Sequence, residues 1–233
     1  METTENIFSP ENLKNKRSMA AVRAAAKLFL ERSIDEVRMT DIAEESGIGV
    51  ATLYRYFGTK THITIAAMTY LWTELGGMFG GVFDSEVFLR QPGIKQVTDL
   101  MRMYLVMYDA HKDFMRLLSE FDLMLIRESV PQSELVDYER SIINFYPFFE
   151  RAFHTGIADG TIREEVVPQA FYLTYAHAIL ELCKKLIRGE LLPSDDFSHA
   201  NAEIALLIEG AAYYLAKHPE DLIKADDTAG KAG

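Results

Sequence analysis

A chain of 233 residues with 48% hydrophobic and 25% charged residues is typical of a globular protein that buries a core. Its single cysteine, Cys183, excludes an intramolecular disulfide framework and a cysteine-rich zinc site. The polar start METTENIFSPEN does not have the layout of a secretory signal, and the apolar run 65–83 is interrupted by Glu74 and by glycines. We therefore expect a cytoplasmic protein with no membrane role.

The net charge of −11 argues against a nucleic-acid partner for the chain as a whole. The charge is unevenly distributed, however, because nine Lys and Arg balance nine Asp and Glu up to Lys60, and the whole acidic excess lies beyond. The amino-terminal part also contains a basic cluster of Lys14, Lys16, Arg17 and Arg23. An amino-terminal module could thus approach phosphates while the acidic remainder is held away from them.

The first predicted helix covers 13–32, where apolar residues recur at helical spacing with Ala and Lys between them. The stretch SIDEVRM then breaks the period, and Thr40 is a candidate N-cap for a short helix over 41–46. Gly47 can end this helix in the left-handed conformation before a third helix begins near Val50. Two short helices joined by a glycine turn are typical of a helix-turn-helix, with a generic corner of an all-α core as the alternative.

The stretch AAVRAAAKLFLERS…VRMTDIAEESGIGVATLYRYFGTKTHI resembles the amino-terminal domain of the TetR family of bacterial transcriptional regulators. The resemblance covers about residues 14–65 and rests on an alanine-rich first helix ending in Leu-Phe, a Thr-x-x-Ile-Ala second helix and a Leu-Tyr-x-Tyr-Phe-x-x-Lys segment. Ser33 and Thr61 depart from the family pattern, which usually has glycine and an acidic residue there. The resemblance implies a sequence-specific regulator of transcription and not an enzyme.

The resemblance also implies that the helix over 50–57 enters the DNA major groove. Arg55 is the one residue of this helix that could bind guanine through two hydrogen bonds. Tyr54 would contact phosphate or pack under the next helix, and Lys60 would hold a phosphate at a helix start. Lys14, Lys16 and Arg17 would form a loose arm or stay solvated. The predicted DNA contacts are Arg38, Thr40, Val50, Ala51, Thr52, Tyr54, Arg55, Tyr56 and Lys60.

The rest of the chain is predicted to be helical, which makes the fold all-α with about nine helices. The predicted helices cover 60–80, 93–111, 113–128, 132–157, 168–188 and 198–217. Pro147 should kink the helix over 132–157. We expect a DNA-binding domain with its arm over 1–58, a ligand-binding and dimerisation domain over 59–220, and a disordered tail over 221–233.

The last two predicted helices carry apolar stripes that, by the resemblance, would pair across a two-fold axis into a four-helix dimer interface. The alternative is that the same stripes pack inside one subunit. A dimer fits DNA because two recognition helices about 34 Å apart can enter successive turns of the major groove. The residues of the stripes are Tyr175, Ile179, Leu182, Leu186, Ile204, Ile208, Ala211 and Leu215.

Methionine and aromatic residues are abundant in the middle of the chain. Residue by residue they favour a plain core, but adaptable methionines are also compatible with a pocket for an apolar or aromatic small molecule. Tyrosines and a histidine could supply polar contacts there. The candidate ligand-binding residues are Met103, Tyr104, Met107, Tyr108, Phe121, Met124, Tyr146, Phe149, Tyr172 and His177.

Catalysis has little support in the sequence. The six histidines are dispersed, neither His-Glu-x-x-His nor Gly-x-Ser-x-Gly occurs, and Cys183 lies in an apolar helical stripe. We expect no cofactor and no metal. The patterns predict a homodimeric repressor that a small ligand releases from a palindromic DNA operator. The alternative is a helical ligand-sensing or protein–protein interaction module that no longer reads DNA.

Overall fold

The computed structural model describes residues 16–79 and 81–220, which form eleven α-helices, one 3₁₀ turn and one isolated bridge between Ile162 and Ala216. The prediction of an all-α fold is confirmed. Within these ranges, none of the helices combines the length and the apolar character that crossing a membrane requires. Lys14 and the predicted tail 221–233 lie outside the described residues.

The helices follow one another closely along the chain. The first four are α1 (Lys16–Glu31), α2 (Met39–Ser46), α3 (Val50–Phe57) and α4 (Lys60–Phe79). The next three are α5 (Glu86–Leu89), α6 (Gly93–Ala110) and α7 (Lys112–Arg127). After the 3₁₀ turn Gln132–Glu134 come α8 (Val136–Ser141), α9 (Tyr146–Ala158), α10 (Pro168–Arg188) and α11 (Ala200–Leu215).

The predicted helix over 132–157 is wrong, because the chain forms the 3₁₀ turn, α8 and α9 in its place. Pro147 lies in the first turn of α9, where its missing N–H has no intrahelical partner to lose, so it starts a helix and kinks none. The four-residue helix α5, whose Ser85 hydroxyl accepts the Phe88 N–H, was not predicted either.

The helices divide into two compact units. Unit 1 consists of Met1–Gly80 and Arg116–Ile143, and unit 2 of Gly81–Met115 and Asn144–Gly233. Helix α7 therefore contributes its first residues to unit 2 and the remainder to unit 1. The predicted boundary between 58 and 59 divides a DNA-binding domain from a ligand-binding and dimerisation domain. It stays a prediction.

In unit 1 the core forms where α1 and α8 pack against α4. Every residue of α4 from Ile63 to Thr69 is buried, as expected for a helix that is apolar on nearly all sides. Phe29, Leu53 and Phe57 bring α1 and α3 into the same core. Trp72 donates its indole N–H to the Tyr138 hydroxyl at 3.2 Å, so the one buried donor of this large side chain is satisfied.

In unit 2 the closest helix contact is between α6 and α9. A Cβ atom added to Gly93 would lie 2.0 Å from the backbone N of Gly156, so only glycine permits this approach. Asp159 follows α9 and accepts the Gly93 N–H at 2.8 Å, which satisfies a free donor at the start of α6. The rings of Phe149 and Phe171 stack at 5.7 Å between α9 and α10.

Candidate nucleic-acid interface

Helix α2 starts earlier than predicted, with Arg38 as its N-cap residue and Thr40 inside the first turn. The Asp41 carboxylate accepts the Arg38 N–H at 3.0 Å, and buried Met39 anchors the first turn in the core. Thr40 is therefore not the N-cap, and that prediction is wrong. Its side chain is exposed at the positive end of the helix, beside exposed Arg38.

The turn between α2 and α3 requires glycine at one position. Gly47 has φ 67° and ψ 24°, the left-handed conformation that residues with a Cβ rarely adopt. The next residue, Ile48, donates its N–H to Ala43 O at 3.1 Å across the turn. Ala43 of α2 and Leu53 of α3 are both buried where the two helices pack.

Helix α3 divides into a buried and an exposed side. Leu53 and Phe57 face the core, while Ala51, Tyr54 and Arg55 are exposed, Tyr54 by 51% of its surface. The predicted contacts Val50, Thr52 and Tyr56 are half-buried beside them. All six predicted DNA contacts of α3 thus retain accessible surface.

The Arg55 guanidinium lies over the ring of Tyr56, 5.4 Å from its centre. This stacking restrains the side chain without neutralising it. Neither Arg55 nor Arg38 forms an ion pair with any residue in the described ranges. Both cations are thus available to an anionic partner.

Lys60, at the start of α4, is more restrained. Its ammonium lies 3.5 Å from Asp35 O, and burial lowers the pKa of Lys60 despite the nearby Asp35 and Glu128 carboxylates. Asp35 in turn forms an ion pair with Arg127 at 2.8 Å, and this hydrogen bond lowers the pKa of Asp35. Lys16 and Arg17 are exposed at the start of α1.

The later part of unit 1 holds the helix-turn-helix through contacts between residues far apart in the sequence. Arg116 of α7 donates to Phe29 O at 2.9 Å and to Leu30 O at 2.8 Å, two carbonyls of the last turn of α1. Glu120 accepts the Ile34 N–H at 2.8 Å, in the connection that leads to α2. These partners are 86 or 87 residues apart, so no local pattern indicates them.

A second set of contacts holds the turn between α3 and α4. His62 Nδ1 lies 2.8 Å from Phe57 O at the end of α3, and His62 Nε2 lies 3.0 Å from a Glu134 carboxylate oxygen. The neighbouring Thr61 hydroxyl donates to the Glu128 carboxylate. These hydrogen bonds connect the end of α3 to the segment that follows α7.

Most of the predicted dimer residues are buried within unit 2. For these the structure favours the alternative, packing inside one subunit, because periodicity reveals an apolar face but not what covers it. Each is at most 5% exposed: Ile179, Leu186, Ile204, Ile208, Ala211 and Leu215. Half-buried Tyr175 and Leu182 line a groove between α10 and α11.

Three of the ten predicted ligand residues, Tyr104, Phe149 and Tyr172, line a common cavity in unit 2. The other seven do not. Phe121 and Met124 are buried in unit 1, and His177 is exposed on α10. The remaining four belong to unit 2 but do not line the cavity: Met103, Met107, Tyr108 and Tyr146. Burial raises the pKa of the Cys183 thiol to about 12, which is the environment of an inert thiol.

An all-α chain whose α2 and α3 join through a left-handed glycine, with a polar and cationic face on α3, has the architecture of a helix-turn-helix DNA-binding regulator. Residues 21–67 match the model of the family described as "Bacterial regulatory proteins, tetR family". The match spans the helix-turn-helix and the start of α4, which confirms the resemblance to this family over these residues. None of the curated proteins matches the chain.

Several solved structures share the fold over most of both chains. A putative transcriptional regulator from Saccharomonospora viridis in complex with choline has a TM-score of 0.62 at 16% identity, covering 87% of this chain and 99% of that chain. A TetR transcription regulator from Haloarcula marismortui has a TM-score of 0.61 at 14% identity, covering 86% and 98%. The regulator FadR from Bacillus subtilis in complex with stearoyl-CoA has a TM-score of 0.56 at 15% identity, covering 82% and 98%. At these identities the likeness shows the fold alone.

Proposed function

We propose that the protein is a homodimeric transcriptional repressor, acting in the cytoplasm, that binds a palindromic operator and is released by a small neutral ligand. The observation that carries the proposal is the exposed face of α3 in a tetR-family helix-turn-helix. On this face Arg55 has no ion-pair partner among the described residues, and Tyr54 projects beside it. A solvated structural helix of this length would more often alternate lysine and glutamate.

Only a few side chains of α3 would contact the bases. Arg55 would read guanine through two hydrogen bonds, while Val50, Ala51 and Thr52 would present methyl groups to thymine or fill space against base edges. Because so few groups can hydrogen-bond to bases, the shape of the DNA and the spacing of two half-sites supply much of the specificity.

Phosphate contacts would come from two helix starts. Arg38 and Thr40 are exposed at the start of α2, where the free N–H groups and the helix dipole favour an anion. Lys60 marks the start of α4, and Tyr54 and Tyr56 add hydroxyls between the two. Lys60 would have to exchange its contact with Asp35 O for a phosphate oxygen, so we expect it to contribute less than Arg38.

The dimer would form through the outer surfaces of α10 and α11. Leu206 is 69% and Tyr213 54% exposed, on a helix whose other side is fully buried. Leu206 also lines the groove between α10 and α11, together with Tyr175, Leu182, Glu203, Leu207 and Gly210, and this groove would receive the same helices of a second copy. A two-fold axis would bring this patch against the same patch of the second copy.

Ligand release would act through α7, because its residues are divided between the two units. In unit 1 its Arg116 and Glu120 hold the end of α1 and the connection to α2. A ligand in unit 2 that moves α6 would also move the start of α7, which follows α6 after His111 alone, and would so change the position of the recognition helix. Ligand and operator then weaken each other by one coupling free energy. Choline and stearoyl-CoA in the S. viridis and B. subtilis structures support the capacity of this fold to hold small molecules.

The test is binding of purified variants to the duplex that the protein enriches from a random library. Arg55→Ala removes the base-reading cation, and Arg90→Ala removes an exposed arginine of unit 2 as a matched control. We expect Arg55→Ala to lower affinity at least about ten-fold and Arg90→Ala to leave it unchanged. Equal affinities for the two variants would exclude Arg55 as a base-reading residue, and enrichment of no duplex would favour the module that no longer reads DNA.

A further inference from the structure

The cavity of unit 2 is lined by side chains of α6, α9 and α10 and by Phe145 just before α9. About 10 Å³ of it can hold the centre of a water molecule, which is room for roughly one water. None of the lining residues that the structure describes is charged: Leu100, Met101, Tyr104, Phe145, Phe149, Tyr172, Tyr175 and Ala176. The cavity is therefore narrow, apolar and rich in aromatic rings.

The aromatic walls are already packed on one another. Phe149 stacks on Phe171, and its ring centre also lies 5.3 Å from that of Tyr172. The Phe171 ring is itself 4.5 Å from the ring of Tyr175. Met101 is the adaptable member, since an unbranched thioether side chain can change rotamer to enlarge the space. As it stands the cavity is far smaller than the cavities of ~150 Å³ that hold benzene, so a single aromatic ring requires Met101 to move.

Two lining hydroxyls lack partners. Neither the Tyr104 nor the Tyr172 hydroxyl forms a hydrogen bond with a residue in 16–79 or 81–220. Burial raises the pKa of both phenols, so both stay neutral and can donate as well as accept. Neither hydroxyl oxygen is fully buried, so each remains accessible to water and could exchange a water for a ligand oxygen. By contrast, the Tyr146 hydroxyl donates to Glu150 at 3.2 Å outside the cavity.

We propose that this cavity binds a neutral, single-ring aromatic molecule that carries one hydroxyl or carbonyl oxygen. The ring takes the apolar space beside Met101 and Phe149, and the oxygen exchanges hydrogen bonds with the Tyr104 or Tyr172 hydroxyl. The inference rests on the proposed ligand-responsive function and names the chemistry of its ligand.

Charged ligands fit the lining less well. A carboxylate or phosphate would be buried without a cationic partner, at a large cost. A quaternary ammonium could use ring faces, but one face of Phe149 is covered by Phe171 and no carboxylate lines the cavity. The lining thus differs in chemistry from what choline or an acyl-CoA requires, although both occupy structures of this fold.

Isothermal titration of the purified protein with four probes tests the inference: para-cresol, toluene, para-toluate and choline. Para-cresol carries the neutral oxygen, toluene lacks it, para-toluate is an anion and choline a quaternary ammonium. We expect para-cresol to bind most tightly and para-toluate and choline not to bind. Tyr104→Phe and Tyr172→Phe should together weaken para-cresol about ten-fold while toluene is unaffected. Tyr146→Phe is the matched control and should change nothing, because it keeps the ring that packs on Tyr172 and removes only the hydroxyl that bonds to Glu150.

The inference is overturned if para-toluate or choline binds as tightly as para-cresol, if none of the four binds, or if the Tyr104 and Tyr172 variants bind para-cresol like the parent protein. Operator affinity measured on the same preparations without any probe keeps the two proposals apart. Operator binding with no para-cresol binding contradicts only the ligand assignment. Para-cresol binding by a protein that enriches no duplex supports the site and contradicts the DNA-binding function.

Discussion

His62 Nε2 lies 3.0 Å from Glu134 Oε2, while Nδ1 of the same ring lies 2.8 Å from Phe57 O. Both partners are acceptors, and a neutral imidazole has only one N–H to donate. The ring satisfies one of the two acceptors as a neutral imidazole and both as an imidazolium. In either form the His62 side chain connects the end of α3 to the 3₁₀ turn after α7.

The pair gives a first prediction. Replacing His62 and Glu134 with alanine, singly and together, should reveal a coupling of about 0.5–1 kcal/mol in the free energy of unfolding, as for partly exposed ion pairs. The same variants should weaken operator binding several-fold, because the end of α3 loses a positioning contact. Glu139→Ala, at an exposed position of α8, is the control. A coupling of zero would show that the two side chains act independently.

The contact between Gly93 and Gly156 gives a second prediction. In Gly93→Ala the new Cβ would fall 2.2 Å from Gly156 Cα and 2.0 Å from its backbone N, neither of which can move without displacing α9. We expect the variant to lose about 3 kcal/mol of stability in chemical denaturation. Gly77→Ala is the matched control, because its Cβ would meet nothing within 4 Å. An equal response of the two variants would refute the tight crossing.

Asp159 gives a prediction about pH. Burial raises its pKa, but hydrogen bonds from the Thr161 hydroxyl at 2.6 Å and from the Gly93 N–H outweigh this, and the net pKa is lowered. A lowered folded-state pKa stabilises the protein above the ordinary aspartate pKa of about 4, and the contribution is lost as the pH falls through the folded value.

Asp159→Asn should therefore be less stable than the parent protein at neutral pH, with a difference that shrinks as the pH falls below about 4. Denaturation midpoints across this range measure it. Glu165 is exposed and forms no hydrogen bond or ion pair with a described residue, so the stability of Glu165→Gln should vary with pH as that of the parent protein does. A difference in denaturation midpoint that stays constant with pH would mean that the variant loses stability through altered geometry and not through the lost charge of Asp159.

The exposed apolar residues of α11 give a prediction about assembly. Leu206→Glu and Tyr213→Glu place charges on a surface that the proposed dimer buries, while the folded monomer keeps them in solvent. We expect sedimentation to show monomers, with helical content unchanged and operator affinity lowered. Val87→Glu, at a still more exposed position of α5, should remain dimeric. Dimers that survive both α11 substitutions would place the interface elsewhere.

The sequence predicted features that depend on neighbouring residues. The bounds of α3 and α10 match the predictions of about 50–57 and 168–188, because apolar spacing and flanking glycine or proline mark both helices. Over 132–157 apolar residues recur at helical spacing on both sides of the interruption between α8 and α9, so the sequence predicted one helix kinked at Pro147. In fact Pro147 lies in the first turn of α9. The rule that proline favours a first helical turn would have located this start.

Features that depend on distant residues could not be predicted. The apolar stripe of α11 is evident in the sequence, but only packing shows that Ile204 and Leu215 face the protomer's own core while Leu206 faces outward. His62 and Glu134 are 72 residues apart, and neither lies in a pattern that indicates the other. Tyr104 and Tyr172 line the cavity, whereas His177 is exposed to solvent. The direction of a side chain on its helix determines whether it reaches the cavity, and spacing in the sequence does not reveal that direction.

The central claim is that α3 reads DNA in a two-fold complex. The most direct measurement is selection of duplexes from a random library by the purified protein, followed by a salt titration on the enriched sequence. The account predicts a palindrome with half-sites about one helical turn apart and an affinity that falls steeply as salt rises. Enrichment of no sequence at low salt, with or without added cell extract, would contradict it.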